Sequence, residues 1–457
     1  MKVAIVVQRY GADISGGAEL HARYIAEHLA RHADVRVLTT CARDYLTWRN
    51  EFPPGVDEVN GIVVERFPVM RERNEAEFGL RSDHVFSRRH SLNDELDWLT
   101  SEGPASLALL DRLARRREEF DYVLLFCARY FHSYHGARIV PERAVLVPTA
   151  ERDPALGLAM FGPIFRGVRA IMYNSPEEQQ LIRAVASNQH VPGVVVGIGS
   201  DIPDTVDPER ARAKFALTGS YVVYVGRIDA NKGCAELFDF FGRYTADRDD
   251  PPPTLVLIGQ PVLSIPRHPF IRHIGFVDDR DKFDVIAGAT ALVMPSYYES
   301  LSMVALEAWA LGRPVIANAH CDVLLGQCLR SNAGLYYANA EEFAAVLERV
   351  LSDAGLVDRL GRNGRQFYEQ HYSWPVIERK YLDMFEFLSS HPPMHLMERK
   401  AGWLARRVLS CRAAAQVVDE LPSGPVIDAD CDPGSPSPAA GFGERGMSDS
   451  QSRGAVA

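Results

Sequence analysis

Short runs of β-branched and apolar residues alternate with stretches of helical spacing along most of this chain. That alternation limits the possible folds more than any other feature. Lys2–Val7 is the first run, and Ala18–Arg31 follows with Leu20, Tyr24, Ala26 and Leu29 able to share one helical face. Val35–Thr39, Ile62–Phe67, Tyr122–Phe126, Ala144–Val147, Ala170–Tyr173 and Val194–Val196 read as further strands, with helices over Ala105–Glu118 and Glu177–Val185 between them. Strands apolar on both faces and separated by helices call for a parallel, doubly wound sheet. The pattern restarts at Tyr221–Val225. It then runs through helix Ala235–Tyr244, strands Thr254–Ile258 and Ile271–Gly275, helix Asp281–Ala287, strand Ala291–Met294, helix Met303–Leu311 and strand Pro314–Ala317. The expectation is two Rossmann-like α/β domains, 1–203 and 204–372, facing across a cleft.

The length fits this reading, because 457 residues exceed what one core holds. A net charge of −10 argues against a general nucleic-acid binder. No apolar run approaches the ~20 residues that span a bilayer. The polar residues after Val7 make the N-terminus read as a strand and not a leader. Scattered cysteines without a CxxC pair read as reduced thiols in the cytoplasm.

Chemistry concentrates in the second domain. Gly226-Arg227 ends an apolar strand, and Asp229 and Asn231 lead to Lys232-Gly233 before a helix. Breaking a sugar–phosphate bond leaves charge on the departing diphosphate, which needs cations already in place. Arginine offers a fork matched to phosphate oxygens and lysine a point charge. About seventy residues on, Glu299 and Glu307 stand eight apart, one in the loop after Leu292–Met294 and one inside an apolar helix that Ser300 or Ser302 can cap. A glutamate in so apolar a helix wants a partner. A ribose diol suits it, since one carboxylate accepts from two hydroxyls, while Glu299 is freer to reach a sugar. Gly259 closes Thr254–Ile258, and the loop beyond it is expected to line a nucleotide pocket.

This combination resembles the donor half of retaining glycosyltransferases of family 4, which have the two-domain fold called GT-B. The resemblance runs from residue 1 to about 388 and is more specific in the second half. It implies that Glu299 contacts the transferred sugar and Glu307 the ribose. It also implies that N–H groups around Ser300, Leu301, Ser302 and Met303 face the diphosphate, and that the helix at 373–390 crosses back onto the first domain. Ile14–Glu19, with Gly16 and Gly17, looks like the family's glycine loop, whose free N–H groups lie against donor and acceptor. Many members have glycines where Ser300 and Ser302 stand, and a histidine where this chain has Glu151. Three readings of Glu151 stay open. It takes over the histidine's hydrogen bond with a different donor sugar, it pairs with Arg152 or another cation, or it marks impaired chemistry.

The expected activity is transfer of a UDP- or GDP-linked sugar to a glycan, glycolipid or small-molecule hydroxyl, with retention, in bacterial glycan synthesis. No cofactor or metal is required, because two cations and a helix N-terminus can do a metal's work. His132 and His135, and likewise His320-Cys321-Asp322, lack a further ligand nearby and read as core or loop residues. A hydrolase or epimerase on the same fold, or a non-catalytic nucleotide-sugar-binding subunit, are the alternatives. The loops Met70–Asp94 are expected to select the acceptor. Beyond the crossing helix, 391–419 reads as an extra helix, with Glu398–Arg412 basic enough for an anionic membrane surface. Its apolar and basic positions do not separate into two faces, which favours a solvated or docked helix. The Pro/Gly/Ser-rich 420–457 reads as a disordered tail.

Overall fold

A computed structural model describes residues 1–14, 16–246, 248 and 250–393. The sequence-predicted helix at 391–419, from 394 onward, and the tail at 420–457 lie outside them. The first sheet is built from β1 (Lys2–Val7), β2 (Asp34–Thr40), β3 (Gly55–Val59), β4 (Ile62–Phe67), β5 (Tyr122–Phe126), β6 (Ala144–Val147), β7 (Ala170–Tyr173) and β8 (Gly193–Val195), in the order β3-β4-β2-β1-β5-β6-β7-β8. The second comprises β9 (Tyr221–Val225), β10 (Thr254–Ile258), β11 (Ile271–His273), β12 (Ala291–Met294), β13 (Val315–Asn318) and β14 (Gly334–Tyr337), in the order β11-β10-β9-β12-β13-β14. Each sheet reverses its winding once, at β1 between β2 and β5 and at β9 between β10 and β12. Ligands of open α/β sheets bind in the crevice at such a reversal, beyond the carboxyl ends of the strands.

The register puts the centre of each sheet out of reach of water. β1 pairs in parallel with β2 (Val3 opposite Val35) and with β5 (Val3 opposite Tyr122). β9 pairs likewise with β10 and β12. Helices cover both faces, so Ile5, Leu124, Val223 and Leu292 are fully buried. Apolar runs without alternation are what such a sheet requires.

Two sequence expectations need correction. The first sheet is not wholly parallel, because β3 runs antiparallel on β4, from Gly55 opposite Arg66 to Val59 opposite Ile62. Asn60-Gly61 turns the hairpin, with φ of 50° and 80°. This pair suits a two-residue turn with positive φ at both positions, and its signal is easily lost beside polar residues such as Asp57 and Glu58. The stretch Met70–Asp94 is also not loop. Glu75–Ser87 and Leu92–Glu102 are helices, the first capped by Asn74 and the second by a full capping box of Ser91 and Asp94.

The helix Trp374–Ser390 returns to the first sheet. Ile377, Tyr381, Met384, Phe385 and Leu388 form its buried stripe. Tyr122 of β5 stacks on Phe385 at 4.7 Å and donates to its carbonyl at 2.9 Å. Trp374 at its start stacks on His28 at 3.5 Å. None of the described helices is long and apolar enough to cross a membrane, and the five cysteines among the described residues are free and buried.

His21 and His132 lie inside the first domain. Burial pushes their imidazoles down to about 3 and about 4. His132 donates from Nε2 to the Phe126 carbonyl at 3.0 Å, which fits a neutral ring. The unfolded chain takes up protons near 6.5 that the folded chain refuses, so stability is full above that pH and falls as pH drops toward 4. His132→Gln keeps a donor without a titrating ring. It should flatten the decline in urea-unfolding free energy between pH 6.5 and 4, and an unchanged slope would disprove the assignment.

Candidate active site at the sheet reversals

The residues singled out in the sequence come from loops at the carboxyl ends of five strands, β1, β6, β9, β10 and β12, and from the helix that follows β12. Gly16 is the N-cap of Gly17–Leu29 and Gly17 its first residue. Glu19, one turn on, is buried and accepts from Arg9 Nε at 2.8 Å. Glu151 follows β6 and is half-buried. The other candidates flank the reversal of the second sheet.

After β9, Gly226 donates to the Ile258 carbonyl at 2.9 Å. Gly259, which closes β10, has φ +135°, and a Cβ there would lie 2.0 Å from the Gly226 carbonyl oxygen. The two loop bases therefore touch through backbone alone, which only glycine allows. Asp229 organises the next turn. It is 6% exposed, accepts from the Lys232 amide at 2.8 Å and is ion-paired with Arg227 Nε. Gly233 then takes φ +72°, with its Cβ position 2.1 Å from the Pro295 carbonyl oxygen. That contact presses the Lys232-Gly233 turn against the exit of β12.

From that exit comes Glu299, whose Oε1 accepts from Lys232 Nζ at 2.7 Å. Burial works against the Lys232 charge, and Glu299 outweighs it, so the lysine pKa is raised. Burial likewise opposes the Arg227 charge, and Asp229 more than compensates. Arg227 reaches across the cleft, its guanidinium 5.9 Å from the Tyr45 ring of the first domain. Ser302 is the N-cap of Met303–Ala310, held at φ +74°, with its Oγ accepting from the Ala305 amide at 3.4 Å. Leu301 is buried behind it, while Ser300 and Met303 are half-buried.

Glu307 differs from the sequence expectation. It is 2% exposed but not without protein partners. Its Oε1 accepts from Ser200 Oγ at 2.9 Å and from Lys282 Nζ at 3.0 Å, while Oε2 has no partner. Ser200 lies in the connection between β8 and β9 and Lys282 in the helix Asp279–Gly288, so neither could be paired with Glu307 from spacing. The free Oε2 leaves one acceptor for a ligand hydroxyl. Both carboxylates of the sequence pair are thus ion-paired within the protein.

Of the three readings of Glu151, pairing with Arg152 does not hold. Arg152 reaches Asp322 on the opposite wall at 2.8 Å. Among the described residues Glu151 has no hydrogen-bond or ion-pair partner for its carboxyl group. Burial pushes its pKa up, Glu299 adds to that, and Lys232 pulls the other way. The structure therefore gathers Glu151, Lys232 and Glu299 from both domains into one electrostatic group. His132 and His135 are buried core residues, and His320 bonds the Ala338 carbonyl at 3.1 Å. Among the described residues, no group of three or more His, Cys, Asp or Glu side chains could hold a metal.

Residues 219–353 match the family described as glycosyl transferases group 1. The D-inositol 3-phosphate glycosyltransferase of Jonesia denitrificans is 27% identical over 279 residues, which is 56% of this chain and 65% of that protein. This chain thus spans just under two thirds of that relative. The alpha-maltose-1-phosphate synthase of Mycobacterium tuberculosis is 26% identical over 419 residues, 84% of this chain and 99% of that protein. Among solved structures, sucrose-phosphate synthase from Thermosynechococcus elongatus superimposes with a TM-score of 0.62 at 18% identity, covering 85% of this chain and 99% of that one. Anabaena HepE in complex with UDP-glucose gives 0.62 at 17% identity, covering 86% and 100%. Residues 219–353 are thus a glycosyl transferases group 1 domain, and the chain has the two-domain fold of its GT-B-type glycosyltransferase homologues.

Proposed function

We propose that this protein moves a sugar from a nucleoside diphosphate sugar, UDP- or GDP-linked, to an acceptor hydroxyl with retention of configuration. The observation that carries this reading is the Lys232–Glu299 ion pair at the reversal of the second sheet. It sets a cation for a diphosphate and a carboxylate for sugar hydroxyls 2.7 Å apart. Arg227 adds a forked donor for the leaving phosphate, and the N-terminus of Met303–Ala310 adds main-chain N–H groups. Glu307 Oε2 accepts a ribose hydroxyl. Gly16 and Gly17 close the site from the other wall, and Gly259 opens onto the base. Retention rests on the family resemblance, with departure and attack on one sugar face guided by the leaving phosphate. Arg227 and Lys232 take a metal's place, so chelation should leave turnover intact. The acceptor is a glycan, glycolipid or small metabolite, and the setting is cytoplasmic synthesis of bacterial glycans.

Charge at the site gives Glu151 a defined task. Two cations, Arg227 and Lys232, face three carboxyl groups, those of Asp229, Glu299 and Glu151. A diphosphate would meet an excess of negative charge if all three were ionised. With its pKa raised, Glu151 holds a proton further up the pH scale than an ordinary glutamate. In that form it donates a hydrogen bond to the transferred sugar, as the family histidine does, without repelling the phosphates. Donor affinity should therefore weaken as pH rises through the Glu151 ionisation. Glu151→Gln should bind donor with little pH dependence; the wild-type slope persisting in that variant would overturn this role.

The direct test is nucleotide release from a panel of UDP-, GDP- and ADP-sugars, with UDP-glucose first and D-inositol 3-phosphate among the acceptors. Removing one transition-state charge partner should slow turnover by about 10²- to 10³-fold, so Arg227→Ala and Glu299→Gln should both nearly silence the active donor. Free sugar without transfer to any acceptor would favour the hydrolase reading. Tight binding without turnover would favour a binding subunit, and no binding of any donor would sink the proposal.

A further inference from the structure

The loop that carries Glu151 is held by a buried carboxylate from a neighbouring helix. Ser175, Pro176 and Glu178 begin the helix Pro176–Ala186 in the order of a capping box. Ser175 does its part, its Oγ accepting from the Glu178 amide at 3.1 Å. In the standard box the third-position glutamate turns back to the amide of its own cap. Here Glu178 does something else. Its Oε2 accepts from the Asn174 amide at 2.6 Å, and its Oε1 accepts from the Ala150 amide at 2.6 Å. Ala150 belongs to the adjacent strand's loop and immediately precedes Glu151. Asn174 Nδ2 completes the set at 3.4 Å from Oε1.

Several observations show that this grip is built and not incidental. Glu178 is 1% exposed, a costly place for a carboxylate unless its bonds repay the desolvation. Thr149, just before Ala150, sits at φ +48°, a conformation that a β-branched residue adopts only when its surroundings impose it. On the far side of Glu151, Asp153 accepts from the Ala155 amide at 2.5 Å and is ion-paired with Arg129, which also donates to Glu102 at 2.8 Å. The loop is thus fixed before and after the one carboxyl group that faces Lys232 and Glu299. Burial pushes the Glu178 carboxyl up to about 8, the two main-chain donors pull it down, and Glu151 itself adds to the rise.

We infer that Glu178 is a positioning residue that aims Glu151 at the Lys232–Glu299 pair by pinning the Ala150 amide. The inference rests on the proposed transfer reaction for its kinetic consequence, but the pinning itself can be tested without turnover. Glu178→Gln keeps the size and loses one of the two acceptors, since its amide nitrogen would face a main-chain N–H. A displacement near 1 Å at a reacting group costs about 10²-fold in rate. Glu178→Gln should therefore lower kcat by about that factor, with a smaller loss of donor affinity, because Glu151 is one donor contact and the rest come from the other wall.

The deciding measurement is a double-mutant cycle with Glu151→Gln, combined with hydrogen exchange by mass spectrometry. If Glu178 acts through Glu151, the double variant is no slower than Glu151→Gln alone, and exchange rises in residues 148–153 but not in 226–233 or 299–307. Multiplying losses, or unchanged exchange at 148–153, would overturn the inference. Should Glu178→Gln not fold, Glu178→Asp, which is too short to span both amides, enters the same cycle with the same criteria. Wild-type protein that turns over no donor would refute the transfer reading, and the exchange measurement would still decide whether Glu178 pins the loop.

Discussion

The Lys232–Glu299 ion pair is the contact on which the site depends. It joins the loop after β9 to the loop after β12, the two strands that flank the winding reversal of the second sheet. Each partner is set by something local. Asp229 fixes the Lys232 amide, and Gly233 allows the turn to press on the Pro295 carbonyl. The side chains then meet at 2.7 Å, and Glu299 keeps the lysine charged against the cost of its burial. Gly259 and Gly226, touching through backbone, place the base of the neighbouring loop against the same turn.

Around that pair, the protein balances charge closely. Arg227 is partly neutralised by Asp229, and Lys232 by Glu299, so neither cation stands unopposed. A free guanidinium and ammonium would attract any anion. Paired ones favour a ligand that satisfies cations and carboxylate together, as a diphosphate joined to a polyhydroxyl sugar does. Partly exposed pairs of this kind stabilise weakly because desolvation and side-chain ordering offset attraction, which argues that they are kept for what they position. Glu307 with Lys282 and Ser200 repeats the design one turn into the helix, leaving one carboxylate oxygen open.

The first domain contributes geometry more than charge. Glu151 faces the second domain's pair from the end of β6, and Glu178 and Asp153 hold its loop on either side. Tyr45 approaches Arg227, and Arg152 reaches Asp322. These crossings tie the two walls together near the site, while the helix Trp374–Ser390 ties them at the far side through Tyr122 and His28.

The sequence by itself determined the architecture and the strand ends at which the candidate site residues stand. Apolar runs without alternation can be satisfied only by strands covered on both faces, and Arg227, Lys232, Glu299 and Glu307 all stand within one loop or turn of a strand end that the pattern predicts. It also carried signals that went unread, the Asn60-Gly61 hairpin and the Ser91 cap among them. Only the tertiary structure decided which charges meet. Lys232 finds Glu299 67 residues away, Glu307 finds Ser200 107 residues back, and Glu178 takes an amide from another strand instead of its own cap. Spacing predicts local neighbours, because helices and strands have fixed periods. Contacts between loops at the ends of different strands depend on sheet order, and sheet order is set by packing the whole domain.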